Sequence, residues 1–264
     1  MRPRDTKPSG SLVIAGVGLM VGHHATLETV DAIRRAEHVF HLVQNTAAET
    51  WVRRLNPRAS PLGDCFRAGK PRDRSYAMMA DRVVRAVRGG EQVCAVFYGH
   101  PGVLVAPAYL ALTRVRREGY PARMLPGISA EDSLFADLAI DPRGFAWQSF
   151  EASDFLLRRR KFDPTAALIL WQAGVLGDAD IRARMRARPE RLRLLLDKLS
   201  PHYPRRHPAI LYEAAEFPVS DPVIERITLR ALAKQPIFPK TTLYIPPRRT
   251  TTLDARVLRW FTGR

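Results

Sequence analysis

The chain has 264 residues, 46% of them hydrophobic, enough to bury a substantial core in one large domain or two small ones. Its 42 basic against 26 acidic residues give a net charge of +16, which marks either a solvated basic face or an acidic partner, nucleic acid or polypeptide. The two cysteines, Cys65 and Cys94, lack metal-ligand spacing, which speaks against a disulfide framework or a zinc site and fits a reducing cytoplasm.

Met1 to Gly10 is short, basic and Pro-containing and reads as a disordered tail. The apolar run Leu12 to Val21 is too short to span a bilayer. It reads as a first strand, Ser11–Gly16, and its loop, with neither a signal peptide nor a membrane anchor. Further strands are predicted at Val39–Val43, Val93–Tyr98, Ala122–Leu125, Ala167–Gln172, Ala209–Glu213, Val223–Thr228 and Thr242–Pro246. Helical spacing places Leu27, Val30 and Ile33 on one face, as it does Met79, Val83 and Val87, then Leu192, Leu195, Leu196 and Leu199. Strand and helix alternate regularly to about Met124, which predicts a parallel, doubly wound first half. More strands per helix and Pro-terminated strands predict a mixed sheet in the second. The expected architecture is therefore α/β in two domains, 11–125 and 126–250, with the ligand in the cleft between them and a short closing helix at Leu253–Phe261 within 251–264.

Two turns carry most of the functional information. Val96-Phe97-Tyr98-Gly99-His100-Pro101-Gly102-Val103 is an apolar run broken by a polar turn, as at the carboxyl edge of a parallel sheet. Met124-Leu125-Pro126-Gly127-Ile128-Ser129-Ala130-Glu131-Asp132 is a Pro-Gly turn leading to Ser129, a good helix N-cap, with Leu134 and Leu138 at helical spacing. Together they describe a cleft for a small polar cofactor. Gly16 and Gly18 begin a dinucleotide fingerprint, but the third glycine would fall at Val21, so a nicotinamide or flavin dinucleotide is not expected. Two basic clusters, Arg158-Arg159-Arg160-Lys161 and the six arginines of Arg182–Arg193, read either as solvated turns or as docking sites for an acidic partner.

The Gly-Val-Gly loop, Leu-Pro-Gly-Ile-Ser-Ala and the late Thr-Thr-Leu-Tyr-Ile-Pro-Pro strand resemble the class III, tetrapyrrole-methylase-like S-adenosyl-L-methionine methyltransferases. Within these, Phe-Tyr-Gly-His-Pro-Gly-Val, Ala-Arg-Met-Leu-Pro-Gly-Ile-Ser-Ala-Glu-Asp-Ser-Leu-Phe-Ala-Asp-Leu, Glu-Ala-Ser-Asp-Phe-Leu and Leu-Trp-Gln-Ala-Gly resemble the borosin peptide backbone α-N-methyltransferases. The resemblance runs from about Ser11 to Pro247. It implies a catalytic group of Arg72, Tyr76 and Tyr98, with Tyr76 as base and Arg72 as its activator and oxyanion partner. Arg72 and Tyr76 are four apart at the start of a predicted helix, so their side chains share a face. A guanidinium beside a phenol favours phenolate. It also implies that Tyr98, His100, Val103, Ala130, Gln172, Ala214, Thr241 and Thr242 line the cofactor pocket, several through backbone groups.

Gly63 and Phe66 stand where fungal members carry tyrosines that help enclose the substrate peptide, so Gly63 should leave space and Phe66 lacks a hydroxyl. Fused members continue into a clasp and a substrate tail, whereas this sequence stops at Arg264. The resemblance is therefore to a split, bacterial-type enzyme acting on a separate precursor peptide, with the basic charge suited to an acidic leader. A cytoplasmic homodimer, or a heterotetramer with the precursor, is implied, with no membrane or nucleic-acid partner. The alternatives are a tetrapyrrole or ribosomal RNA methyltransferase of the same superfamily, and a catalytically idle peptide-binding scaffold.

Overall fold

The computed structural model describes residues 9–66, 71–178 and 186–263. By contacts the chain forms two compact units. One runs through Leu138 and regains Ala214–Pro222; the other comprises Ala139–Glu213 and Val223 onward. The expected boundary at Leu125–Gly127 thus falls inside the first unit, which also keeps the helix that follows it.

The first unit contains β1 (Ser11–Gly16), α1 (Leu27–Arg35), β2 (His38–Leu42), α2 (Thr46–Leu55), β3 (Ala59–Pro61), α3 (Arg72–Arg88), β4 (Gln92–Phe97), α4 (Ala106–Arg117), β5 (Ala122–Met124) and α5 (Ala130–Leu138). Its sheet has the order β3-β2-β4-β1-β5 and every pairing is parallel. Both faces are covered, which is why β4 reads as a continuous apolar run. Leu12, Ile14, Val93, Ala95 and Phe97 pack into one core with Met79, Val83 and Val87 of α3 and Ala108, Ala111 and Val115 of α4. Ala15, Cys94 and Val96 join the opposite core with Ile33 of α1 and Val52 of α2.

One expected helix face is corrected: α1 buries Thr29 and Ile33, while Leu27 is 89% exposed. Thr26 caps that helix by accepting from the Thr29 amide at 3.1 Å, so Leu27 sits on the first turn, clear of the sheet. The expected tail Met1–Gly10 lies outside the described residues through Pro8. Gly10 itself is buried, its backbone so close to the Val87 carbonyl that a side chain would clash.

The second unit contains β6 (Trp147–Glu151), α6 (Ala152–Leu157), β7 (Ala167–Trp171), α7 (Pro189–Leu199), β8 (Pro208–Glu213), β9 (Val223–Thr228), β10 (Thr242–Ile245) and α8 (Ala255–Thr262). The sheet order is β6-β7-β10-β8-β9. Only β6 and β7 are parallel, so the sheet is mixed. Leu192, Leu195 and Leu199 of α7 pack on Leu168, Leu170, Leu211 and Leu243, the face that their spacing predicts. The closing helix starts at Ala255, capped by Asp254, rather than at Leu253, and its residues are exposed.

The basic clusters are partly consumed by structure. Arg158 and Arg160 share Asp154, each at 2.6 Å; Arg191 pairs with Asp178 at 2.5 Å; Arg186 lies 5.3 Å above the Phe238 ring. Arg182 and Arg184 lie outside the described residues. Among the described residues, no helix is long and apolar enough to cross a membrane.

Candidate active site

β1, β4 and β5 run parallel, so the loops that follow them meet at one carboxyl edge. They meet backbone to backbone. A Cβ on Gly16 would lie 2.3 Å from the Gly99 carbonyl, and one on Gly127 would lie 2.9 Å from the same oxygen; only glycine allows that approach. Gly18 and Gly99 then exchange amide hydrogen bonds of 3.3 and 2.8 Å. The other amides of the first loop are committed too: Val17 to Phe97, Val21 to Glu216, and both Leu19 and Met20 to His24 Nδ1. This loop is a scaffold and offers no row of open donors to a phosphate, consistent with its broken dinucleotide pattern.

Tyr98 follows β4 directly, its amide held by the Leu42 carbonyl at 3.1 Å. Tyr98 is 41% exposed, yet the atoms packed around its phenol desolvate it and raise its pKa. Tyr76 raises it further and Arg72 opposes the shift. At neutral pH Tyr98 is therefore a protonated donor. The three side chains implied as catalytic are thus within electrostatic reach of one another. Arg72 opens α3, and Tyr76 stands one turn on. Phe66 meets the Tyr76 ring edge-on, with centroids 6.1 Å apart. The turn that carries Phe66 is anchored by Arg82, which binds Asp64 through two nitrogens at 2.9 and 3.0 Å and donates to Pro61 at 2.8 Å. Gly63 on that turn has no atom within 4 Å of the place a Cβ would occupy.

His100 Nδ1 accepts the Gly102 amide at 2.9 Å, which leaves Nε2 as the N–H donor. Val103 closes the turn by donating to the His100 carbonyl at 3.0 Å. Leu104 beyond it adopts the left-handed conformation, with φ of 57°, costing about 1–3 kcal/mol. Ser129 caps α5: its Oγ accepts from Glu131 and Asp132 amides, each at 3.2 Å, while Asp132 Oδ2 accepts from Ser129 N and Oγ, each at 2.7 Å. This reciprocal box uses the second and third amides of the helix. The Ala130 amide has no acceptor among the described residues, so a residue without a functional side chain can still bind an anion. Ala214, also in the first unit, lines a cavity of about 450 Å³ with Met20, His24, Asp132 and Asp137. Tyr98, His100, Val103 and Ala130 do not line it.

In the second unit, Gln172, Thr241 and Thr242 gather at one end of the sheet, where β7 ends and β10 begins. Gln172, an expected cofactor position, is left-handed, with φ of 58°, a costly conformation for a residue with a side chain. The Thr241 carbonyl accepts from the Ala173 amide at 3.0 Å. Its Oγ1 accepts from Phe238 N at 3.1 Å and donates to Glu213 Oε1 at 2.5 Å. Glu213 also meets Lys240 at 3.5 Å, and its side chain is only 11% exposed. Sequence reasoning passed over Glu213; the signal was a carboxylate closing the apolar run Ala209-Ile210-Leu211-Tyr212. His24 was passed over as well, because nothing local in the sequence shows what its ring holds.

The fold and this arrangement of loops define a class. The model for the tetrapyrrole (corrin/porphyrin) methylases matches residues 11–232, and the chain belongs to that family. A solved uroporphyrin-III-C-methyltransferase from Thermus thermophilus shares the fold, with a TM-score of 0.64 at 18% identity over 90% of this chain and 93% of that one.

Sequence similarity is greater elsewhere. The chain is 38% identical over 263 residues to a methyltransferase/ribosomally synthesized cyclic peptide gymnopeptides precursor of Gymnopus fusipes, covering 98% of this chain and 62% of that protein. It is also 38% identical over 251 residues to a methyltransferase/type I borosin cyclic peptide precursor of Serendipita vermifera subsp. bescii, covering 93% and 60%. The chain thus spans about 60% of the length of these relatives.

Proposed function

We propose that this protein is an S-adenosyl-L-methionine-dependent methyltransferase that methylates backbone amide nitrogens of a ribosomally made precursor peptide, supplied to it as a separate chain. The single observation that carries the reading is the group formed by Arg72, Tyr76 and Tyr98, with Phe66 edge-on to Tyr76. The relatives' names, which join a methyltransferase to a peptide precursor, support the peptide as substrate. When bound, the cofactor supplies an electrophilic methyl group. Tyr98, His100, Val103, Ala130 and Ala214 of the first unit would hold it. The open Ala130 amide and the His100 Nε2–H suit a ligand that carries a carboxylate.

An amide nitrogen is a poor nucleophile because its lone pair is delocalised into the carbonyl. Methylation therefore requires that the N–H proton leave and that charge on the amide oxygen be stabilised. Tyr76, as the base, would take that proton on its phenolic oxygen; the methyl would replace it on nitrogen, with the electron pair of the broken carbon–sulfur bond left on sulfur. Arg72 would stabilise the charge developing on the amide oxygen. Tyr98, whose phenol is desolvated by the atoms packed around it and stays protonated, would donate a hydrogen bond to the substrate within the same group. The net charge of +16 supports an acidic leader on the precursor, with association that weakens as salt rises. A homodimer, and a heterotetramer with the precursor, complete the proposal.

The test is intact-mass spectrometry of a candidate precursor co-expressed with this chain and with its Tyr76→Phe variant. Mass gains in steps of one methyl, mapped by fragmentation to backbone amides and lost with the variant, are expected. An unmodified precursor, alongside measured cofactor binding, would refute the peptide as substrate. Full turnover by Tyr76→Phe would remove Tyr76 as base.

A further inference from the structure

The loop between β1 and α1 is tied down at almost every amide, and its hub is one side chain. His24 Nδ1 accepts from both the Leu19 and the Met20 amides, at 3.4 and 3.3 Å. An imidazole that accepts through Nδ1 carries its proton on Nε2. The side chain is pressed close to the loop it holds, since a Cβ on Gly18 would lie 2.0 Å from His24 Cβ and 3.0 Å from its ring Cγ. Gly18 is in turn paired in both directions with Gly99. Gly99 lies between Tyr98 and His100. The chain of contacts therefore runs from one imidazole, through two amides and one backbone pair, to the residues on either side of Gly99.

We propose that His24 is a positioning residue for the Tyr98–Val103 loop: it fixes Gly18 against Gly99 and so presets the backbone that carries Tyr98 and His100. The inference rests on the reading of that loop as a cofactor contact. The other bonds that hold the first loop go elsewhere than the Leu19 and Met20 amides. Gln44 Nε2 donates to the Leu19 carbonyl and the Glu216 carbonyl accepts from Val21, so neither satisfies the Leu19 or Met20 amide. Removing the ring leaves two partly buried donors without partners and frees the segment that presents Gly18. An asparagine Oδ1 branches from the same Cγ position as Nδ1 and accepts hydrogen bonds, so it keeps the function without the ring.

Three full-length variants test this: His24→Leu, His24→Asn and Val103→Glu, each measured by amide hydrogen exchange at Gly99 and by calorimetric titration with S-adenosyl-L-methionine. His24→Leu should lose protection at Gly99 and bind the cofactor about tenfold more weakly, whereas His24→Asn should stay within about threefold of the parent chain on both readouts. A general loss of folding in the leucine variant would also lower protection at the Ala95 amide of β4, whereas the proposal expects loss at Gly99 with Ala95 unchanged. Unchanged Gly99 protection in a folded His24→Leu chain overturns the proposal regardless of how cofactor binds. Unchanged cofactor affinity in His24→Leu, while Val103→Glu binds poorly, overturns it and leaves the loop reading intact. If Val103→Glu also binds normally, the loop reading itself fails.

Discussion

The bond between Glu213 and Thr241 should be worth about 2 kcal/mol, as expected for a short hydrogen bond to a carboxylate with little solvent access. It is 2.5 Å long, and the Glu213 side chain is 11% exposed. Glu213→Ala removes this bond and the contact with Lys240. That lysine is 59% exposed, so its loss adds well under about 1 kcal/mol. Thr241→Ala removes the same bond and also strips the acceptor from the Phe238 amide, for a total of about 3 kcal/mol. The double variant should again cost about 3 kcal/mol, because the shared bond can be lost only once. The single costs sum to about 5 kcal/mol, so the coupling is about 2 kcal/mol, roughly a thirtyfold change in an opening equilibrium. Native-state hydrogen exchange of the Ala173 amide, which donates to the Thr241 carbonyl, reads this locally and does not require the two units to unfold together. A coupling below about 0.5 kcal/mol would refute the reasoning. If Thr241 belongs to the cofactor pocket, Glu213→Ala should also weaken S-adenosyl-L-methionine binding.

Gly63→Tyr should fold with a stability change within about 0.5 kcal/mol, since its Cβ site is open. Calorimetry should find cofactor affinity unchanged, with any effect confined to the KM for peptide. Burial lowers the pKa of both His24 and His41, with Asp137 and Glu49 respectively opposing the shift and His23 and Arg53 adding to it. The unfolded chain therefore takes up these protons first as pH falls below about 6.5. Stability from the pair is complete above that pH and is lost as pH falls through the lower folded values. Thermal melts from about pH 7.5 down to about 5 should show the decline, and it should shrink in a His24→Asn/His41→Gln chain. Cys94 is buried and its thiol is pushed up to about 12. Iodoacetamide at neutral pH should label it only after denaturation; rapid labelling of the folded chain would contradict its placement between β1 and β2.

The strands most legible in sequence were those buried on both faces. β1 and β4 carry uninterrupted apolar runs because helices cover both sides of the parallel sheet, and their limits agree with the expectation to within one residue. The two strands that escaped notice show why. β3 is three residues long, buries only Ala59 and ends in Pro61, so it shows neither a period nor an apolar run. β6 has Trp147 at 44% exposure and no fully buried residue, so it shows no apolar run. The α1 error has the same origin: Leu27 fits a helical stripe, but the Thr26 cap sets where the first turn points, and that depends on a hydrogen bond that hydrophobicity does not encode.

The site was legible in a different way. Arg72 and Tyr76 could be placed together from spacing alone because four residues make one helical turn, but Tyr98 joins them only through the fold. The glycines were informative yet open to a wrong use. Gly16 and Gly18 suggested the start of a dinucleotide fingerprint; in the structure Gly16 packs against Gly99 and Gly127, Gly18 packs against His24, and the loop's amides are engaged with carbonyls and His24. Short-range patterns report where a chain turns tightly; they do not report what it approaches when it does. Backbone strain is a second local signal. Leu104 and Gln172 are held left-handed with no glycine to ease it, each next to or at an expected cofactor position, and that expense is hard to explain by packing alone. Ala139 and Ala146 are left-handed too and stand at no expected cofactor position, so strain nominates Leu104 and Gln172 for substitution without by itself marking backbone that faces a ligand.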